Sequence, residues 1–169
     1  MKVLKTIGIG AGVIFLTFLL FSVWYIWWYA MEPVTTYEVN DPSLENNVLI
    51  ATQGSEYKNA VEEGVVAYLE PMEVYVRVID VFQLPEQETE KWDAIVIIHT
   101  WEYSKPPEVV NEFLKMNYDP TKVFVITTSG SGEEEMEGVD AITGASKMDN
   151  VKRDIDSVIL WLNEVFGFE

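Results

Sequence analysis

The chain reads as an α/β protein, a mainly parallel three-layer sheet of four or five strands preceded by one N-terminal transmembrane helix. Three observations predict this. No charged side chain occurs between Lys5 and Glu32. Beyond residue 46, short apolar runs alternate with segments of helical periodicity, the pattern of strands joined by crossover helices. The central runs are apolar without interruption, as expected of strands buried on both faces.

The first element is Ile7 to Tyr29, rich in Ile, Leu, Phe, Val and Trp. It exceeds the ~20 residues a helix needs to cross the hydrocarbon layer. Bulky rings from Trp24 to Tyr29 stand where a signal peptidase needs small residues, so the segment is expected to stay as an anchor. Lys2 and Lys5 precede it and acids follow it, which predicts a cytoplasmic N-terminus and an extracytoplasmic domain at the cell membrane. The aromatic run fits the outer interfacial belt. Gly8 and Gly12 lie four apart on one helix face, a spacing that permits close helix packing. The anchor therefore occupies residues 1–31. Residues 32–46, with Pro33, Pro42, Asn40 and Asp41, read as a linker.

The domain is expected over 47–169. Val48 to Ala51 is a buried strand ended by Thr52, Gln53 and Gly54. Ala60, Val61, Val65, Tyr68 and Leu69 recur at helical spacing until Pro71. Val74 to Val81 is a β-branched second strand. After an acidic loop around Leu84 to Glu90, Ala94 to Ile98 is the third and most apolar. Pro106 and Pro107 open a helix, where a missing amide proton costs nothing, and Val109, Val110, Phe113 and Leu114 form its buried stripe. Val123 to Ile126 is a fourth strand and Val139 to Ile142 a short fifth. They are joined by Ser129 to Gly138, too short for a full helix. Val151, Ile155, Val158, Ile159, Leu162, Val165 and Phe166 share one face of the last helix.

Charge and composition restrict function. The formal charge is −17, and the first 31 residues hold two lysines and no acid, so the remainder carries −19. Such a surface repels phosphate backbones and anionic lipid, which argues against nucleic acid and favours a partner with a basic surface. There are no cysteines. Disulfides, thiolate metal sites and cysteine nucleophiles are thereby excluded.

Three loops carry a family resemblance: Ala51-Thr52-Gln53-Gly54-Ser55; Trp92 to Ile98 running into His99-Thr100-Trp101-Glu102-Tyr103-Ser104-Lys105-Pro106-Pro107; and Val125-Ile126-Thr127-Thr128-Ser129-Gly130-Ser131-Gly132. Over roughly 47–166 the chain resembles the flavodoxin-like family, in a trimmed form. That resemblance implies non-covalent FMN and electron transfer at the membrane surface. Thr52, Gln53, Gly54, Ser55 and Lys58 would lie on the phosphate side. Thr100, Trp101 and Tyr103 would line or stack on the ring, and Thr128, Ser129 and Gly130 would line its other edge. The first loop departs from the family pattern at Glu56, where a carboxylate near a phosphate is unfavourable unless Lys58 compensates or Glu56 turns outward. If the cofactor were lost, the same fold would serve as an accessory module of a membrane complex.

Asp140-Ala141-Ile142-Thr143-Gly144-Ala145-Ser146 also resembles the signature at which extracytoplasmic flavin transferases attach FMN, which would make Ser146 the acceptor. The structural alternative is a turn followed by a helix cap. His99, the one histidine, suggests a hydrolase with Ser129 or Ser131 and with Asp93 or Asp80, but the Gly-x-Ser-x-Gly elbow is absent. Glu133, Glu134, Glu135 and Glu137 form an acidic loop that reads either as an oxygen-ligand cation site or as a solvated tip.

Overall fold

The computed structural model describes residues 2–29, 31 and 33–168, without the side chains of 2–7 and 26–29. It divides into two compact units, Met1–Met31 and Glu32–Glu169. The first holds α1 (Lys2–Tyr29), whose stretch Gly8–Tyr25 is long and apolar enough to cross a membrane. Ile9, Ile14, Phe15, Phe18 and Leu20 are all exposed, so apolar side chains face outward all round. Such a helix needs an apolar environment. The Phe21 ring lies tilted against those of Trp24 and Tyr25, with ring centroids 5.6 and 6.3 Å away. The expectations resting on Lys2, Lys5, Trp27, Trp28 and Tyr29 lie outside the described side chains.

In the second unit the elements are β1 (Tyr37–Val39), β2 (Asn46–Thr52), α2 (Glu56–Leu69), β3 (Val74–Asp80), β4 (Ala94–Thr100), α3 (Glu108–Asn117), β5 (Val123–Thr128), β6 (Ala141–Gly144) and α4 (Val151–Phe166). Among the described residues they form one six-stranded sheet in the order β1-β3-β2-β4-β5-β6. All pairings are parallel except β1 with β3. The five parallel strands follow the order 2-1-3-4-5 of one common doubly wound sheet, in which ligands collect beyond the strand carboxyl ends.

The linker expected at 32–46 contributes an extra edge strand instead of serving only as a connector. Tertiary bonds hold it where periodicity gave no signal. The Val34 amide donates to Asp80 at 2.9 Å, the Thr36 hydroxyl to Gln83 at 2.8 Å, and the Tyr37 hydroxyl to Glu62. Asn40, at φ 68°, donates to the carbonyl of Val74 at 2.8 Å.

Strand alternation divides the core into two layers. Val48, Ile50, Val96, Ile98 and Ile126 face α2 and α4, packing on Val61, Val65, Leu69, Val158 and Leu162. Leu49, Ala51, Ile95, Ile97 and Val125 face α3 and the 3₁₀ turn Val81–Glu86, packing on Val110, Phe113, Leu114 and Leu84. Gly64 permits close approach of α4 to α2, because a Cβ there would lie 2.3 Å from Ile155 Cδ1. The β5–β6 connection holds no helix, as its length predicts.

Candidate functional site

The carboxyl ends of β2, β4 and β5 lie side by side, in register at Thr52 with Ile98 and at Thr100 with Thr128. The three loops singled out by sequence therefore meet along one rim. Gln53 joins two of them. Its amide donates to Ile98 O at 3.2 Å, its Oε1 accepts the Thr100 amide at 2.7 Å, and its Nε2 donates to Glu102 at 3.1 Å. The Trp101 amide donates to Thr128 O at 2.7 Å, and that of Ser129 to Gly144 O at 3.0 Å, so the third loop is tied to both neighbours.

At the start of α2, the Ser55 hydroxyl caps the helix by accepting the Lys58 amide at 3.3 Å. This capping satisfies one of the donors that a helix start leaves open. Glu56 is exposed, whereas Lys58 is only 1% exposed and donates its Nζ to Thr100 Oγ1 at 2.8 Å. Burial lowers the Lys58 pKa to about 8, with the Glu102 carboxylate opposing the shift. A hydroxyl chain continues across the rim from there. Thr100 Oγ1 and Thr128 Oγ1 are 2.7 Å apart, and the Ser146 hydroxyl donates to Thr128 at 2.9 Å.

The aromatic residues do not form a matched pair. The Trp101 indole N–H donates to Thr127 Oγ1 at 2.8 Å, and its ring packs against the α3-side core. Tyr103 instead is 94% exposed at the tip of a tight turn in which Glu102 and Lys105 exchange both backbone bonds. Tyr103 and Ser104 both have positive φ, 52° and 62°, the geometry of a type I′ turn. Neither is glycine, so the turn holds strain of about 1–2 kcal/mol per residue. Gly130 lies at the rim with open space where a Cβ would stand.

His99 is fully buried, with Nε2 3.3 Å from Met136 Sδ. Burial lowers its pKa to about 4, the Thr100 backbone opposes this, and the Lys58 charge adds to it. It is neutral at pH 7. Asp93 accepts the Asn47 amide at the far end of β4, Asp80 accepts the amides of Val34 and Phe82, and Ser129 donates to Glu134, so none forms a triad with His99. Glu134 accepts from Ser129 and Ser131, which together hold its pKa below the ordinary value. Its carboxylate folds the acidic loop. Gly132 is required there, at φ 77°, because a Cβ would meet Ala145 N at 2.8 Å.

Glu102 belongs to the rim but escaped the sequence reading of its binding residues, whereas Ser146, read there only as a covalent acceptor, joins the rim through Thr128. No sequence signal pointed to Glu102, because its role follows from the burial of Lys58, which only the structure shows.

No protein-family model and no curated protein matches the chain. Solved structures do. The metal-soaked flavodiiron core from Synechocystis superposes with a TM-score of 0.54 at 16% identity, over 75% of this chain and 38% of that one. Oxidised flavodoxin 2 from Bacillus cereus gives 0.43 at 17% identity, covering 70% and 99%. The general stress protein 14 in complex with FMN from Treponema denticola gives 0.39 at 10%, covering 71% and 99%. The chain thus spans less than half of the flavodiiron core. Identities this low speak to fold alone. Strand order and the first superposition agree on it: the fold is flavodoxin-like.

Proposed function

We propose that this protein binds FMN non-covalently at the rim formed by the loops after β2, β4 and β5, and that α1 tethers this electron carrier to a membrane. The observation that carries the reading is Lys58, a buried amine beneath the first turn of α2. A phosphate above it would gain the ammonium, the Ser55 hydroxyl proton and the amides of the first helical turn. Exposed Glu56 points its charge to solvent, which relieves the conflict seen in the sequence.

The fit is uneven along the ligand. Thr52, Gln53, Gly54, Ser55 and Lys58 suit the phosphate end, while Thr100, Thr128, Ser129 and Gly130 offer polar and open edges to a ring. Tyr103 supplies an exposed ring on a stiff turn, suited to stacking. Trp101 supports the turn from below, its indole committed to Thr127. When bound, FMN supplies the redox chemistry; the chain binds it, orients it and excludes water. The acidic surface suits a cationic redox partner.

FMN titration of the full-length protein, followed by quenching of flavin fluorescence, tests the proposal. Saturable quenching is expected, weakened at least tenfold in Lys58→Met; no quenching at millimolar FMN rejects it. One observation favours a second reading, a cofactor-free accessory module: Lys58, Thr100, Thr128 and Ser146 already satisfy one another. Ser146 is exposed on the same rim, so flavin retained after denaturation, and lost in Ser146→Ala, would identify a covalent link instead.

A further inference from the structure

The two faces of a doubly wound sheet normally each carry crossover helices. Here the connection between β5 and β6 is residues 129–140 without a helix, and its Met136 and Val139 pack on the α3 side. The place beside α3 that a fourth crossover helix would fill is left as a cleft of about 770 Å³. One wall is built by Asn111, Leu114 and Lys115 of α3, at i, i+3 and i+4, with Tyr118 just past the helix end. Leu114 and Met136 give the cleft buried apolar surface, with Trp101 beside them. Across from the stripe stand Glu135 and Glu137, both exposed, and Lys115 is the one basic side chain in the lining.

We infer that this cleft is a docking groove for a basic amphipathic helix of a partner protein. An apolar floor between two walls matches helix-in-groove recognition, in which the partner helix inserts residues at i, i+3, i+4 and i+7 as anchors. Glu135 and Glu137 select for Lys or Arg flanking that stripe and raise the association rate. A second copy of this chain would bring a domain of charge −19 against the same carboxylates, which disfavours self-association. The groove lies on the α3 face and shares only Trp101 with the proposed flavin rim, where that indole is committed to Thr127, so it stands whether or not FMN binds.

The absence of cysteine allows the site to be read by cross-linking. The full chain, in nanodiscs of phosphatidylcholine, carries one introduced cysteine: Asn111→Cys or Glu137→Cys at the cleft, or Leu160→Cys on α4 as a distant exposed control. The probe is an 18-residue helical peptide with a leucine stripe, lysines elsewhere and one terminal cysteine. Disulfide trapping is expected at least tenfold faster at either cleft position than at Leu160. It should fall to the control rate when Glu135→Lys and Glu137→Lys are added to Asn111→Cys, while Glu86→Lys with Glu90→Lys leaves it unchanged. Equal rates at cleft and control, or equal losses in the two charge-reversed pairs, would overturn the proposal. So would faster cross-linking of Asn111→Cys to its own copy than to the peptide, or a co-purified small molecule that blocks the cleft positions.

Discussion

The two faces of the sheet are covered differently, and the difference separates stability from recognition. Towards α2 and α4 the cover is two long helices in close contact, and, among the described residues, three acidic or basic side chains, Lys58, Glu62 and Asp154, are buried beneath them. Each has a partner: Lys58 reaches Thr100, Glu62 accepts from Tyr37, and Asp154 accepts from Tyr57 and pairs with Arg153 at 2.7 Å. Towards α3 the cover is one ten-residue helix, a 3₁₀ turn and a loop, and among the described residues His99 is the only buried acidic or basic side chain on that face. Buried charge requires a rigid surround with satisfied bonds. A loop-covered face can instead leave room for a partner.

Truncating one side chain on each face should give the largest contrast. Leu162→Ala, from a fully buried site between two helices, should destabilise by about 3–4 kcal/mol in urea unfolding. Leu114→Ala borders the cleft, where the surround can relax, and should cost about 2 kcal/mol. Equal losses would mean that both faces are equally rigid. Next in size is Asp154→Ala, which strands the buried Tyr57 hydroxyl and should cost about 1–3 kcal/mol.

The third test is the pH dependence contributed by Lys58. Its folded pKa, about 8, lies below the ordinary 10.5, so the unfolded chain binds more protons between those values. Stability should therefore rise with pH through that window, by up to about 1.4 kcal/mol per unit, and Lys58→Met should flatten the rise. The smallest effect is expected at Glu62, whose pKa burial raises. Its stabilising contribution is complete below the unfolded carboxyl pKa and declines as pH rises through the folded one. Glu62→Gln should thus gain on the parent protein as pH rises above the ordinary carboxyl value of 4.5.

The strands and helices around the core were legible because their signals are redundant. Ala94 to Ile98 is apolar at every position, and the last helix repeats its stripe through four turns. The edge strand Tyr37–Val39 was not, because three residues in a Pro- and Asn-containing stretch show no period. Bonds from the Val34 amide, the Thr36 hydroxyl and the Asn40 side chain to distant residues hold it. At the rim, sequence named the three loops that meet but not the direction of their side chains. Lys58 reads as a phosphate contact at the first turn of a helix, and its side chain is instead buried with its amine on the Thr100 hydroxyl. Trp101 reads as a stacking ring, yet Thr127 turns its indole inward.

Amide shift mapping of the ¹⁵N-labelled full-length protein on addition of FMN tests the proposed rim most directly. Shifts should concentrate at 52–58, 100–105 and 128–132, leaving Asn111 to Tyr118 unmoved. Shifts centred on the α3 cleft, or none at saturating FMN, would contradict it.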